Sequence, residues 1–143
     1  MEESPKTGLV ARRRAERRGR VAETLVANWY SVRGFDVLAQ RLRTPAGEID
    51  LVVADREVLA FVEVKARNAL RAAADALTPR QRRRLVAAAE IVLGQQPGWA
   101  RPETRFDVAL VIGEAVHRIF EALRAADTCS VWRCRPEARI RPA

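Results

Sequence analysis

Gly47-Glu48-Ile49-Asp50-Leu51 and Phe61-Val62-Glu63-Val64-Lys65 set three acids and a lysine inside segments that otherwise read as buried β-strand. Around them Val52, Val53, Val58, Leu59, Ala60, Phe61, Val62 and Val64 form nearly continuous apolar runs, the pattern of strands covered on both faces. Charged groups in such strands cost several kcal/mol of lost hydration unless they are paired or bind a metal. Gathered carboxylates suit a hard divalent cation: Mg²⁺ (or Mn²⁺) takes oxygen ligands and is often held by one or two carboxylates plus a substrate phosphate. Such an ion stabilises the charge of a phosphodiester transition state and lowers the pKa of an attacking water. Lys65 could orient that water or neutralise the developing negative charge.

Lys65 carries more weight than a basic residue usually does. All but two of the 26 basic side chains, Lys6 and Lys65, are arginine. Arginine keeps its proton in proteins, whereas an ammonium is a compact charge with a tunable pKa. The single histidine, His117, leaves histidine-dependent nucleases without the residues they need, and there is no glycine-rich phosphate loop. Cys129 and Cys134 are too few for a zinc site.

The elements that must position these groups can be read from periodicity. Residues 1–11 are expected to be disordered. From Arg12 to Arg33 the pattern is helical, with Ala22, Leu25, Val26, Trp29 and Val32 facing a core, and Gly34 ends the helix. Strands are expected at Phe35–Arg43, Glu48–Ala54 and Val58–Arg67. A two-residue loop at Asp55-Arg56 sets Glu48 opposite Glu63, and a four-residue loop sets Asp50 opposite Glu63; either register puts Glu48, Asp50, Glu63 and Lys65 on one face. Thr78 as N-cap and Pro79 at the first helical position start a second helix, striped by Leu85, Ala88, Ala89 and Val92 and ended by Gly94. Two more strands follow, Arg105–Ile112 and Val116–Leu123. The arginine- and proline-rich remainder, 124–143, reads as a flexible basic tail.

At 143 residues the chain makes one domain with a real core, over residues 12–123. No apolar run is long enough to span a membrane, and the N-terminus lacks the order of a secretory signal, so a reducing cytoplasm is expected. The formal net charge of +8 favours a polyanionic partner. The charge falls in blocks: Arg12, Arg13, Arg14, Arg17, Arg18 and Arg20; then Arg80, Arg82, Arg83 and Arg84; then Arg133, Arg135, Arg139 and Arg141. Such blocks either form a solvated face or contact phosphates, positioning nucleic acid without reading its sequence. The sparse aromatics do not form the stacking platforms of an RNA-binding module.

An acidic residue in the first helix, then Asp, then Glu-x-Lys on the next strand resembles the PD-(D/E)XK nuclease superfamily. More narrowly, the chain resembles the small bacterial YraN-type family, related to archaeal Holliday-junction resolvases. The matching stretches run in order: Gly19-Arg20-Val21-Ala22-Glu23, Gly34-Phe35, Gly47-Glu48-Ile49-Asp50-Leu51, Phe61-Val62-Glu63-Val64-Lys65-Ala66-Arg67, Thr78-Pro79-Arg80 and Arg105-Phe106-Asp107-Val108. The resemblance implies an α/β, restriction-endonuclease-like αβββαβ core with a central mixed sheet flanked by helices. It implies a Mg²⁺- or Mn²⁺-dependent endonuclease acting on DNA, including branched or structured DNA, and is compatible with a homodimer. Asp50 and Glu63 would hold the metal, Lys65 would be the catalytic lysine, and Glu23 would be the helix-borne acid that completes the site. Glu48 reads equally as a group behind the ligands or as a turn-proximal acid. The family usually carries Lys-Gln after the Thr-Pro-Arg turn where this chain has Gln81-Arg82; Gln81 also fits a helix capping box with Thr78. The aromatic-Gly pair common after the Glu-x-Lys strand is replaced by Leu70-Arg71-Ala72-Ala73-Ala74. The alternative to an enzyme is a non-catalytic nucleic-acid-binding or adaptor protein on the same fold.

Overall fold

The computed structural model describes residues 5–67 and 77–124. Helix α1 (Pro5–Val32) leads into strands β1 (Asp36–Thr44), β2 (Gly47–Ala54) and β3 (Val58–Arg67). Helix α2 (Pro79–Gln95) and a short 3-10 helix (Pro97–Trp99) follow, then strands β4 (Glu103–Ile112) and β5 (Ala115–Arg124). The strands lie in one sheet in chain order, antiparallel throughout except for β3 and β4, which are parallel. Parallel neighbours need a crossover, and α2 lies within it. The result is an α/β chain with a mixed five-stranded sheet and two helices, in the element order expected.

Each face of the sheet is covered by one helix. Ala22, Val26, Ala27 and Tyr30 of α1 pack with Leu51, Val53, Val58, Ala60, Val62, Ala109 and Val111. Leu85, Ala88, Ala89, Val92 and Leu93 of α2 pack on the other face with Ile49, Val52, Ala54, Leu59, Phe61, Phe106 and Val108. Double coverage is why β3 reads as a continuous apolar run, with Leu59 and Phe61 serving one core and Val58, Ala60 and Val62 the other.

Local signals set several boundaries. Thr78 and Gln81 form a capping box, with Gln81 N–H donating to Thr78 Oγ1 and Thr78 N–H donating to Gln81 Oε1. Gly34 adopts a left-handed φ of 88°, and Phe35 N–H reaches back to the Tyr30 carbonyl, closing α1 in a Schellman turn. At the β2–β3 turn, Asp55 Oδ1 accepts from the N–H groups of Glu57 and Val58.

Two expectations are corrected. Helix α1 starts at Pro5 rather than Arg12, so residues 5–11 are helical and not disordered. Proline is preorganised for a first turn, and the Arg- and Ala-rich run from Ala11 to Arg18, a strong helix former, extends back through residues 6–10 to it. Helix α2 runs through Gly94 to Gln95, because the Val92 carbonyl still receives the Gln96 N–H. Of the segment read as a C-terminal tail, Arg124 instead ends β5, and the rest, with its arginine block and both cysteines, lies outside the described residues, as does 68–76.

Candidate active site

Strands β2 and β3 pair from Ala54↔Leu59 to Leu51↔Val62, and there their ladder stops. Four residues separate Ala54 from Leu59, so the register is the one that sets Asp50 opposite Glu63. Both strands continue past this point, β2 back to Gly47 alongside β1 and β3 on to Arg67 alongside β4. The sheet is therefore split, and Asp50 and Glu63 are the first residues on either side of the split. Asp50 Oδ2 accepts from the Val64 N–H at 2.9 Å, where a backbone carbonyl would have completed the ladder.

The alternation of β1 and β2 breaks at the same level. Ile49 and Val52 face the α2 core, three residues apart, while Leu51 and Val53 face the α1 core. On β1, Leu42 pairs with Ile49 and Ala39 with Val52, and both pack on the α2 core, again three residues apart. Between them Arg41 has a left-handed φ of 49°. Such a conformation in a non-glycine residue is uncommon and strained, and it concentrates at functional sites. Arg41 turns out of the strand, and its Nε donates to Glu23 Oε2 of α1 at 2.6 Å.

The charges at the split press on one another. Burial and then the Glu63 charge push the Asp50 carboxyl up to about 7, against the pull of the Val64 N–H; Glu23 and Glu48 add to the rise. Glu63 is also raised by burial, opposed by the Arg84 and Lys65 charges and by a hydrogen bond with Asp50. Two carboxyls in such contact titrate as a pair, and each makes the other harder to ionise. Lys65, only 6% exposed, follows Glu63 by two residues on the same strand face. Glu48 pairs at 3.7 Å with the exposed Arg43. Arg84 of α2 brings Nη2 to 3.5 Å from Glu63 Oε1.

Comparison with known proteins places the chain in a family. Residues 22–111 match the family described as Uncharacterised protein family UPF0102. The chain belongs to the UPF0102 family. It is similar to a UPF0102 protein of Acidiphilium cryptum (strain JF-5), 69% identical over 117 residues, covering 82% of this chain and 91% of the relative. A UPF0102 protein of Parvibaculum lavamentivorans is 51% identical over 109 residues, covering 76% and 79%. One from Granulibacter bethesdensis is 46% identical over 112 residues, covering 78% and 71%. The family match opens one residue before Glu23 and closes in β4, so it contains every residue at the split. Arg12 to Arg20 of this UPF0102 chain precede it.

Asp50, Glu63 and Lys65 are thus brought together as expected, and Glu23 is near enough to raise Asp50. Gln81 is committed to the α2 cap. Arg12, Arg13, Arg14, Arg17, Arg18 and Arg20 lie on the exposed length of α1 before its first core residue, Ala22. Arg80, Arg82 and Arg83 are exposed on α2, and Arg84 is half-buried. Sequence reasoning missed Arg41, for which one arginine among many offers no signal. It also gave no role to Asp107, 1% exposed, although an acid inside Phe106-Asp107-Val108 breaks an apolar strand just as Asp50 and Glu63 do.

Among the described residues no three His, Cys, Asp or Glu side chains are arranged to hold an ion by themselves. Asp50 and Glu63 nevertheless fit a hard cation that keeps waters and completes its shell with phosphate oxygens. Their mutual repulsion is what a bound cation would relieve. This predicts a pH-dependent stability. A carboxyl raised in the fold adds stability that is present below its unfolded pKa and lost as pH rises to the folded value, here about 7. Asp50→Asn should therefore stabilise the cation-free protein at pH 8, by on the order of 2 kcal/mol, and change little at pH 4. Urea unfolding at both pH values in EDTA checks this; equal effects at the two would discount the repulsion.

Proposed function

We propose that this chain is a metal-dependent endonuclease acting on DNA, on a restriction-endonuclease-like αβββαβ core. The observation that carries the reading is the convergence of Asp50, Glu63 and Lys65 at a split in an otherwise apolar sheet. Asp50 and Glu63 would hold Mg²⁺ or Mn²⁺, which stabilises phosphodiester transition-state charge and acidifies water when bound. Lys65 stands beside Glu63, where it orients an attacking water or offsets the charge on the phosphate. Glu23 is carried to the site on α1 and fixed there by Arg41. The exposed arginines of α1 and α2 hold the backbone of the substrate, branched or structured DNA, and a homodimer would present two such sites to a branch. A cytoplasmic site of action fits this reading, and no helix among the described residues is long and apolar enough to cross a membrane.

A nuclease assay over linear and branched DNA and over RNA, with Mg²⁺ or Mn²⁺, tests the proposal. Cleavage by the parent that disappears in Asp50→Asn supports it; cleavage equal in both would assign the activity to a contaminant. A second reading, a non-catalytic nucleic-acid-binding adaptor, is favoured by one observation: arginines already neutralise two of the acids, Arg41 at Glu23 and Arg84 at Glu63. DNA binding without cleavage under any metal is its signature. In both readings affinity should fall steeply with salt as counterions are released. Replacing Arg12, Arg13 and Arg14 by Ala should weaken binding about equally for every sequence tested and flatten the salt dependence. An unchanged salt slope would return these residues to a solvated face.

A further inference from the structure

Arg84 differs from the arginines beside it on α2 in what it touches. Its stem crosses Gly47 so closely that a Cβ there would sit 3.0 Å from Cδ and 3.1 Å from Cγ. Gly47 has a φ of 137°, a conformation that side chains rarely adopt. Glycine therefore both turns the chain into β2 and leaves the bed on which Arg84 lies. The helix carrying Arg84 is held firmly, by the capping box at Thr78 and by Leu85, which is buried in the core. Yet the side chain keeps 39% of its surface exposed, and its 3.5 Å contact with Glu63 is longer than a charge-assisted hydrogen bond of about 2.8 Å. The guanidinium thus stands between Glu63 and solvent, held by charge and not by a formed hydrogen bond.

We propose that Arg84, bedded on Gly47 and joined one helical turn earlier by the exposed Arg80, forms a phosphate-binding site at the mouth of the Asp50–Glu63 pair and takes one phosphodiester of a DNA backbone there. This rests on the nuclease-like reading of the split. A guanidinium presents a planar fork of donors that matches phosphate oxygens two at a time, which a lysine at this position would not. Residues four apart on a helix are neighbours on its surface, so Arg80 can take an adjacent phosphate. When Glu63 is neutralised by a cation, its hold on Arg84 weakens and the fork is free for the phosphate. Arg84 then acts at the acidic pair itself, with Arg80 beside it, and Arg82 and Arg83 are not part of the site. The competing account makes Arg84 only the counter-ion of Glu63.

Anisotropy of a fluorescein-labelled DNA duplex, in EDTA and in Ca²⁺, separates the two. The parent should bind more tightly in Ca²⁺ than in EDTA. Arg84→Gln should weaken the Ca²⁺ complex roughly tenfold, the loss of one hydrogen-bonded charge pair, and the EDTA complex about twofold or less. Gly47→Ala, which keeps the arginine but displaces its stem, should reproduce that loss, with circular dichroism showing that both variants fold. If Arg84→Gln keeps the full Ca²⁺ enhancement, Arg84 is a counter-ion and the proposal is overturned while the nucleic-acid reading stands. Parent affinity indifferent to Ca²⁺ overturns it too, since neutralising Glu63 then frees nothing. A parent that binds DNA in neither condition fails the nucleic-acid reading itself, and this site with it.

Discussion

On the nuclease reading proposed above, Lys65→Arg should fold, bind DNA and cut it on the order of a hundredfold more slowly than the parent, the loss of a few kcal/mol of transition-state stabilisation. The substitution keeps the charge and much of the stem. It replaces a compact ammonium, which can lose a proton, by a planar fork that cannot. Position 65 is buried to 6% exposure beside Glu63, so the larger head has little room to stay in place. Asp50→Asn should abolish cleavage as well, because it removes one of the two carboxylates opposed across the split. Initial rates on linear and branched DNA with Mg²⁺ or Mn²⁺, with DNA affinity measured in parallel, are the readout. Variants that cut as fast as the parent would remove Asp50 and Lys65 from the chemistry.

The largest effect on stability should come from Asp107, which is far from Asp50 in sequence but decides how α1 sits. Arg105 donates to it twice, Nε to Oδ1 at 2.8 Å and Nη2 to Oδ2 at 3.0 Å, and Tyr30 Oη donates to Oδ2 at 2.7 Å. Burial, then the charge of Asp107, hold the Tyr30 hydroxyl protonated well above its ordinary range. Asp107→Ala leaves a partly buried guanidinium without its carboxylate and a buried hydroxyl without an acceptor. Breaking such a pair costs roughly 3–5 kcal/mol, a large part of a domain's net stability. Tyr30→Phe removes a single hydrogen bond and should cost about 1–2 kcal/mol. Denaturant unfolding of the two variants would show the ranking, and an Asp107→Ala protein as stable as Tyr30→Phe would contradict it. Tyr30 lies two helical turns beyond Glu23 on the same side of α1, so loosening this anchor should also disturb the Glu23–Arg41 pair.

Several features were legible in the residues alone because they depend on near neighbours. Val58 to Arg67 is a strand, Thr78-Pro79 starts a helix, Gly34 ends one, and Asp55 closes the β2–β3 turn. Each follows from a residue's own backbone preference or from hydrogen bonds within a few positions. The presence of Asp50, Glu63 and Lys65 at one site was legible for a related reason. The hairpin register is limited to a few loop lengths, and charged groups in a doubly covered sheet stand out against its apolar pattern.

What periodicity does not report is where alternation fails. Regular pleating would have put Ile49 and Leu51 on one face; the paired break at Arg41 and Asp50 puts them in different cores and opens the sheet beside Glu63. The same limit hides which acid each arginine meets. Arg41 reaches Glu23 across 18 positions, Arg84 reaches Glu63 across 21, and Tyr30 reaches Asp107 across 77. A long guanidinium can choose among many carboxylates, and only the packing of α1 and α2 on opposite faces decides which one lies within reach. Local preferences and burial are written along the chain, whereas the pairing of charges is a property of through-space distance.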